Sequence, residues 1–290
     1  MEDIIVIVGP TGIGKTKLSI ELAKKIDAEI INGDSVAIYR QLDIGSAKPT
    51  KEEQKEIPHH LIDIKEVEDV YTVFDYQKDV REKIKEIEKR HKRVIIVGGT
   101  GLYIKAALYN YEFTEGTTNH LYEDLSKEEL IERIEEYTKE IPDRENRKRL
   151  VRLLNKLENQ EPITHKKDER LYPLKIIGLT TSRDILYERI NQRVNQMIEK
   201  GLLEEVEALK EKYKTSKVLN SGIGYKEFVP YFKGEKTKEE VIEEIKKNSR
   251  RFAKRQYTFF THQFPTQWFT VNLQDFSKTI EEVYQEIKNH

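Results

Sequence analysis

The chain has 290 residues, of which 36% are charged; 51 basic against 52 acidic side chains leave a net charge of -1, so no global cationic field draws it to nucleic acid. It contains no cysteine, which excludes disulfides and thiolate-bound metal and suits a reducing compartment. No apolar run reaches the roughly 18 residues needed to span a bilayer, and no basic-then-apolar export signal opens the chain, so a cytoplasmic protein without membrane association is expected.

The first predicted strand is Ile4-Ile5-Val6-Ile7-Val8, and the helix-patterned segment from Leu18 to Ala23 lies just beyond it. Between them stands Gly9-Pro10-Thr11-Gly12-Ile13-Gly14-Lys15-Thr16, which fits the GxxxxGK[ST] phosphate loop. Glycines let backbone N–H groups curl around phosphate oxygens at a helix N-terminus, Lys15 reaches the terminal phosphates, and the Thr16 hydroxyl is placed to ligate Mg²⁺. A helix to about Ile26 and a strand over Glu29-Ile30-Ile31-Asn32 complete a parallel unit. Asp34 then lies at the carboxyl end of a strand, facing the same crevice as Lys15 and Thr16. Its position alone leaves three roles open: Mg²⁺ partner, general base, or helix N-cap for Val36 to Tyr39.

The turn-rich loop Asp43 to Pro49 offers Lys48 as a phosphate ligand or a solvated charge. His59-His60-Leu61-Ile62-Asp63-Ile64 reads as a short strand whose adjacent histidines face opposite ways, which favours a hydrogen-bonding role over a shared metal. An amphipathic helix spans Val73 to about Arg90. The apolar Val94-Ile95-Ile96-Val97 reads as a buried strand, and Gly98-Gly99-Thr100-Gly101 ends it where many nucleotidases carry an acidic Mg²⁺ ligand. Backbone or the Thr100 hydroxyl can approach a ligand closely there.

From 113 to 171 the sheet pattern gives way to helical periodicity, so the expected organisation is a core of 1–112 and 172–290 with a helical insertion. Within it, Arg144 to Arg152 holds five basic residues and one acidic, a solvated helix face or a phosphate-backbone contact. The strand Lys175 to Leu179 rejoins the core, and Arg183 follows its carboxyl end, placed to reach the phosphate pocket or to pair at a helix cap. Two helices, Ile185 to Lys200 and Leu202 to about Tyr213, precede the glycine turn Gly222-Ile223-Gly224-Tyr225-Lys226. A long helix from about Lys238 to about Thr261 carries six basic residues and no acidic ones between Lys246 and Arg255. At four-residue spacing these form one broad positive stripe whose mutual repulsion favours an anionic partner. An edge strand at Gln267 to Val271 and a terminal helix close the chain.

Four segments together resemble the tRNA dimethylallyltransferase (tRNA isopentenyltransferase) family: Gly9 to Thr16; Asn32-Gly33-Asp34-Ser35-Val36-Ala37-Ile38-Tyr39 through Asp43 to Pro49; Val97 to Tyr103; and Arg251-Phe252-Ala253-Lys254-Arg255-Gln256. The resemblance covers nearly the whole chain and implies an α/β fold, a P-loop NTPase-like parallel sheet flanked by helices with an all-helical insertion domain that contacts tRNA. It implies transfer of a dimethylallyl group from dimethylallyl diphosphate to the exocyclic N6 amine of the adenosine just 3′ of the anticodon, without nucleotide hydrolysis. On this reading Gly9 to Thr16 and Arg183 hold the diphosphate with Mg²⁺ on Thr16, Lys15 stabilises the leaving group, and Asp34 takes the proton. Asp34, Ser35, Val36, Ala37, Thr100, Lys148, Arg149, Leu150, Val151, Arg152, Lys226, Arg251, Lys254, Arg255 and Gln256 meet a tRNA anticodon stem-loop, and the protein is expected to act as a monomer. The family's usual residues differ at Gly12-Ile13, Ala37 and Phe259-Phe260, none of which removes a group the chemistry needs. A kinase, an adenylate isopentenyltransferase and a non-enzymatic RNA-binding protein are the rival readings. The cationic helix counts against the first, and Asp34 in the crevice against the last.

Overall fold

Ile4–Val8 is apolar throughout and forms β1, an inner strand buried at every position. A continuous apolar run, rather than an alternating one, is what a parallel strand covered on both faces requires. The computed structural model describes residues 3–113, 122, 124–141, 143–160 and 169–288. It divides into two units, Met1–Tyr109 with Arg170–His290, and Asn110–Glu169.

In the larger unit β1 is followed by α1 (Lys15–Ile26), β2 (Ala28–Asn32), α2 (Lys51–Glu56), β3 (His59–His60), α3 (Val73–Lys89), β4 (Arg93–Val97) and α4 (Gly101–Leu108). The smaller unit supplies α5 (Lys127–Glu135) and α6 (Arg147–Glu158). The larger resumes with β5 (Leu174–Thr180), α7 (Arg183–Glu199), α8 (Leu202–Lys212) and α9 (Lys217–Ser221). A 3₁₀ turn at Lys226–Phe228 leads to α10 (Val229–Phe232), α11 (Lys238–Gln263), β6 (Gln267–Thr270) and α12 (Phe276–Lys288).

The strands form one sheet in the order β3-β2-β4-β1-β5-β6, every neighbouring pair parallel. This is the parallel α/β architecture expected from the sequence. Alternate residues of β1 enter opposite cores: Ile4, Val6 and Val8 join the cluster containing Tyr76, Val80 and Ile96, whereas Ile5 and Ile7 join the one containing Leu18, Leu22 and Val283. The smaller unit buries Tyr122, Leu130, Ile134, Leu150 and Leu154 against each other, pairs spaced four apart on each helix. No helix among the described residues is long and apolar enough to cross a membrane.

One local expectation fails: the strand read over residues 59–64 is only His59–His60, because Leu61 and Asp63 take left-handed backbone angles that end the pairing with β2. Val36 to Tyr39 is a turn, which decides against one of the three roles left open for Asp34. The short helices α2 and α9 carry capping side chains, Thr50 and Ser216, but are too brief for a periodic apolar face to announce them.

Candidate active site

The strand order decides which loops meet. β1 is flanked by β4 and β5, and β4 by β2, so the segments leaving β2, β4 and β1 stand side by side at the carboxyl edge where the sheet order switches. Backbone hydrogen bonds lock them: the Gly33 N–H donates to Val97 O at 2.7 Å, the Gly98 N–H to Ile7 O at 3.2 Å, and the Thr100 N–H to Gly33 O at 3.0 Å. The approach is so close that a Cβ on Gly98 would lie 2.1 Å from the Gly33 carbonyl carbon. Glycine is the only residue that fits there.

The loop after β1 takes positive φ at Gly9, Gly12 and Gly14, and Gly14 leads directly into α1. Lys15 Nζ donates to the carbonyls of Gly9, at 3.0 Å, and Pro10, at 2.9 Å, so the ammonium is folded across the mouth of the loop. Loss of water lowers its pKa to about 8; the positive charge of Arg193 pushes the same way, and the Asp34 carboxylate opposes it. Arg193 responds in kind: burial lowers its pKa, and Asp34 again opposes the shift. Asp34, Lys15 and Arg193 therefore share one crevice.

Asp34 is held at both ends. Asn32 Oδ1 accepts from the Asp34 N–H at 3.0 Å, while Asn32 Nδ2 donates to Asp34 O at 2.9 Å and Leu61 O at 3.0 Å. Its Oδ1 accepts from the Val36 N–H at 2.9 Å, an Asx turn. Since Val36 to Tyr39 is not helical, the N-cap role lapses. Oδ2 has no hydrogen-bond partner among the described residues and faces Gly99, lying 3.9 Å from where a Cβ there would sit. A carboxylate oxygen positioned without a partner is available to take a proton. Beside it, Thr100 Oγ1 accepts from the Ser35 N–H at 3.0 Å and donates to Ser35 Oγ at 3.3 Å.

Two arginines that the sequence pattern does not single out complete the cradle. Arg189 Nε donates to Gly12 O at 3.0 Å, and the Arg193 side chain approaches within 4.0 Å of a Cβ position on Gly12. Both flank the buried stripe of α7 at Ile190 and Val194, which is the signal that could have found them. Arg183, expected at the pocket, is the first residue of α7; it is exposed and lies 5.1 Å over the Tyr187 ring. Six residues separate it from Arg189, about 240° around the helix at roughly 100° per residue, so the two face different ways.

Gln256 belongs to the interior. It is buried, its Oε1 accepts from the Thr11 N–H at 3.2 Å, and its Nε2 donates to Gly99 O at 3.0 Å. Ala37 and Leu150 are likewise buried, so neither presents a side chain to RNA; Val151 is partly buried against the α5–α6 core. Ser35, Val36, Thr100 and Lys226 are partly buried, and Lys226 makes no side-chain hydrogen bond or ion pair among the described residues. On α6, Lys148, Arg149 and Arg152 are exposed, and Arg149 pairs with Asp143 at 2.8 Å.

The α11 stripe divides. Lys246 pairs with Glu243 at 2.8 Å, and Arg250 donates to Asn191 Oδ1 at 2.5 Å while lying over Tyr187. Lys247, Arg251, Lys254 and Arg255 are exposed and make no ion pair among the described residues, which leaves four cations in a row for solvent or an anionic partner. Lys48 is spent internally on Tyr39 O at 2.6 Å, Asp43 at 2.9 Å and Asp63 at 2.6 Å. His60 Nε2 lies 2.6 Å from Glu29, and His59 Nδ1 2.7 Å from Ile57 O. Among the described residues no group of three or more His, Cys, Asp or Glu side chains could hold a metal.

The family model described as IPP transferase matches residues 37–263. A tRNA dimethylallyltransferase of Anoxybacillus flavithermus is 45% identical over 280 residues, covering 92% of this chain and 90% of its own length. One from Bacillus mycoides is 44% identical, covering 97% of this chain and 93% of its own length. The crystal structure of the full-length tRNA isopentenylpyrophosphate transferase from Bacillus halodurans superposes with a TM-score of 0.80 at 37% identity, covering all of this chain and 96% of that one. A eukaryotic dimethylallyltransferase captured acting on tRNA superposes with a TM-score of 0.78 at 25% identity, covering all of this chain and 80% of that one.

Proposed function

From the premise that this chain belongs to the IPP transferase family, we infer that it transfers the dimethylallyl group of dimethylallyl diphosphate to the N6 amine of the adenosine immediately 3′ of the anticodon in tRNA, releasing diphosphate. The observation that carries this reading is the Asp34 carboxylate, with one oxygen unpartnered among the described residues, in the crevice of a glycine loop crossed by Lys15 and flanked by Arg193.

An adenine amine is a weak nucleophile, so the allylic C–O bond must loosen as the C–N bond forms. Negative charge then builds on the leaving diphosphate, where the loop N–H groups, the Lys15 ammonium and the Arg193 guanidinium receive it. Before substrate arrives, Lys15 rests on the carbonyls of Gly9 and Pro10, from which it can swing to phosphate oxygens without leaving the loop. Asp34 Oδ2 takes the N6 proton, a contribution of about 10² to 10⁴-fold.

For Mg²⁺ the described residues offer the Thr16 hydroxyl and no cluster of three or more His, Cys, Asp or Glu side chains. That fits an ion that takes most of its oxygens from diphosphate and water. Bound there, it would neutralise charge on the leaving diphosphate. The exposed Arg251, Lys254 and Arg255 of α11 and Lys148 and Arg152 of α6 supply cations for the RNA backbone. Reaction on a base amine requires the base to leave its stack and enter the crevice. We place the reaction in the cytoplasm with the protein acting as a monomer. The test is incubation of the protein with Mg²⁺, labelled dimethylallyl diphosphate and tRNA whose anticodon is followed by adenosine. Label must appear in the RNA; transfer to AMP instead, or ATP turnover with no transfer, overturns the reading.

A further inference from the structure

We propose that Gln256 is a positioning residue for the transfer reaction: its side-chain amide sets the spacing between the phosphate loop and the turn after β4. The inference rests on the reaction proposed above. Thr11 lies in the loop that holds the leaving group, and Gly99 lies in the turn that leads to Thr100 and faces Asp34. The allylic carbon must pass from one side of this gap to the other, and a misplacement of about 1 Å between reacting groups costs about 10²-fold in rate.

The amide is built for this one connection. It spans 245 residues of sequence to Thr11 and 157 to Gly99, with its acceptor on one loop and its donor on the other. Being buried, it would cost stability if either end were unmet, so both bonds are held. The partner turn is cut to fit it: a Cβ on Gly99 would lie 2.0 Å from Gln256 Nε2. The amide sits on α11 between two other anchors, Ala253 and Phe260, which are fully buried, while Phe259 covers Gly101 so closely that a Cβ there would be 2.2 Å from its ring. Helix spacing of three and seven residues puts Ala253, Gln256 and Phe260 on one face, and Arg251, Lys254 and Arg255 are exposed around the rest. The helix that presents the cations is the same one whose Gln256 ties the two loops.

The experiment is a double-mutant cycle of Gln256→Met and Gly99→Ala, each of which breaks the same tie from one side. At saturating dimethylallyl diphosphate and tRNA, each single variant should lose about 10- to 100-fold in kcat with both KM values within about threefold of wild type, since geometry rather than binding is lost. The double variant should lose no more than the worse single one, because the tie can be broken only once. Amide exchange at Thr11 should quicken about tenfold or more in Gln256→Met while the amides of α1 keep their rates. A kcat within threefold of wild type, losses that multiply, or unchanged exchange at Thr11 overturns the proposal. If Gln256→Met does not fold, Gly99→Ala still reports the kcat and KM split. If the wild-type protein transfers no label to tRNA, the reaction assignment fails, and Thr11 exchange alone still decides whether Gln256 holds the loops together.

Discussion

Replacing Asp34 by asparagine removes the carboxylate while keeping its shape. Oδ1 of the asparagine still accepts from the Val36 N–H, now at 2.9 Å, and the Asn32 contacts to the backbone of residue 34 are untouched, so the turn survives. What is lost is the proton acceptor at Oδ2, which as an amide nitrogen can only donate. A general-base contribution of about 10² to 10⁴-fold corresponds to about 2.7–5.5 kcal/mol of barrier. Binding should move the other way. Asp34 is the anion facing Lys15 and Arg193, so removing its charge frees both cations for phosphate. At about 0.2–1 kcal/mol for a charge pair in partial contact with solvent, pyrophosphate affinity stays level or rises by up to about fivefold. Single-turnover transfer of labelled dimethylallyl groups gives the rate, and calorimetric titration with pyrophosphate gives the affinity. Asp34→Ala loses the Val36 bond as well and should also be about 1 kcal/mol less stable. Transfer by Asp34→Asn within threefold of wild type would refute the general-base assignment, and a large loss of pyrophosphate affinity would show Asp34 to be a binding group.

Lys15 titrates at about 8 in the fold against an ordinary 10.5. Between those values the unfolded chain keeps the proton and the fold does not, so stability should rise as pH climbs through that window, as denaturant titration would register. Pyrophosphate affinity should fall over the same window, since binding needs the ammonium; affinity flat to pH 10 would contradict this. Arg193→Leu should weaken pyrophosphate by about 10- to 150-fold, from roughly 1.5–3 kcal/mol for a charged hydrogen bond. Because the guanidinium is one cause of the low Lys15 pKa, that variant should also move the alkaline limb upward. Alanine at Arg251, Lys254 or Arg255 should weaken tRNA binding regardless of base sequence and lower the salt slope by about one for each phosphate no longer neutralised. A sequence-dependent loss in filter-binding titrations would instead assign that residue to base reading.

Local order was legible wherever a physical requirement acts within one element. Ile4–Val8 had to be an inner parallel strand because all of it is apolar, and Gly9 to Thr16 had to be a tight loop between strand and helix because its glycines and lysine stand in the order the phosphate-loop pattern sets. Asp34 followed from the rule that strand carboxyl ends share a crevice. The six cations of α11 showed in the sequence as an excess of charge, but which four remain exposed depended on Glu243 within the helix and on Asn191 and Tyr187 in α7.

What the sequence could not decide were contacts between elements far apart in the chain. Arg183 was expected at the pocket because it follows a strand end, yet the way α7 lies on the sheet turns Arg189 and Arg193 toward Gly12 and Asp34 instead. Gln256 stood in the sequence as one polar residue at the end of a basic run, and only the packing of α11 shows its amide buried between Thr11 and Gly99. Periodicity tells which face of a helix is buried, because that depends on the helix alone. What the face is buried against depends on how the sheet order brings strands from distant parts of the chain together.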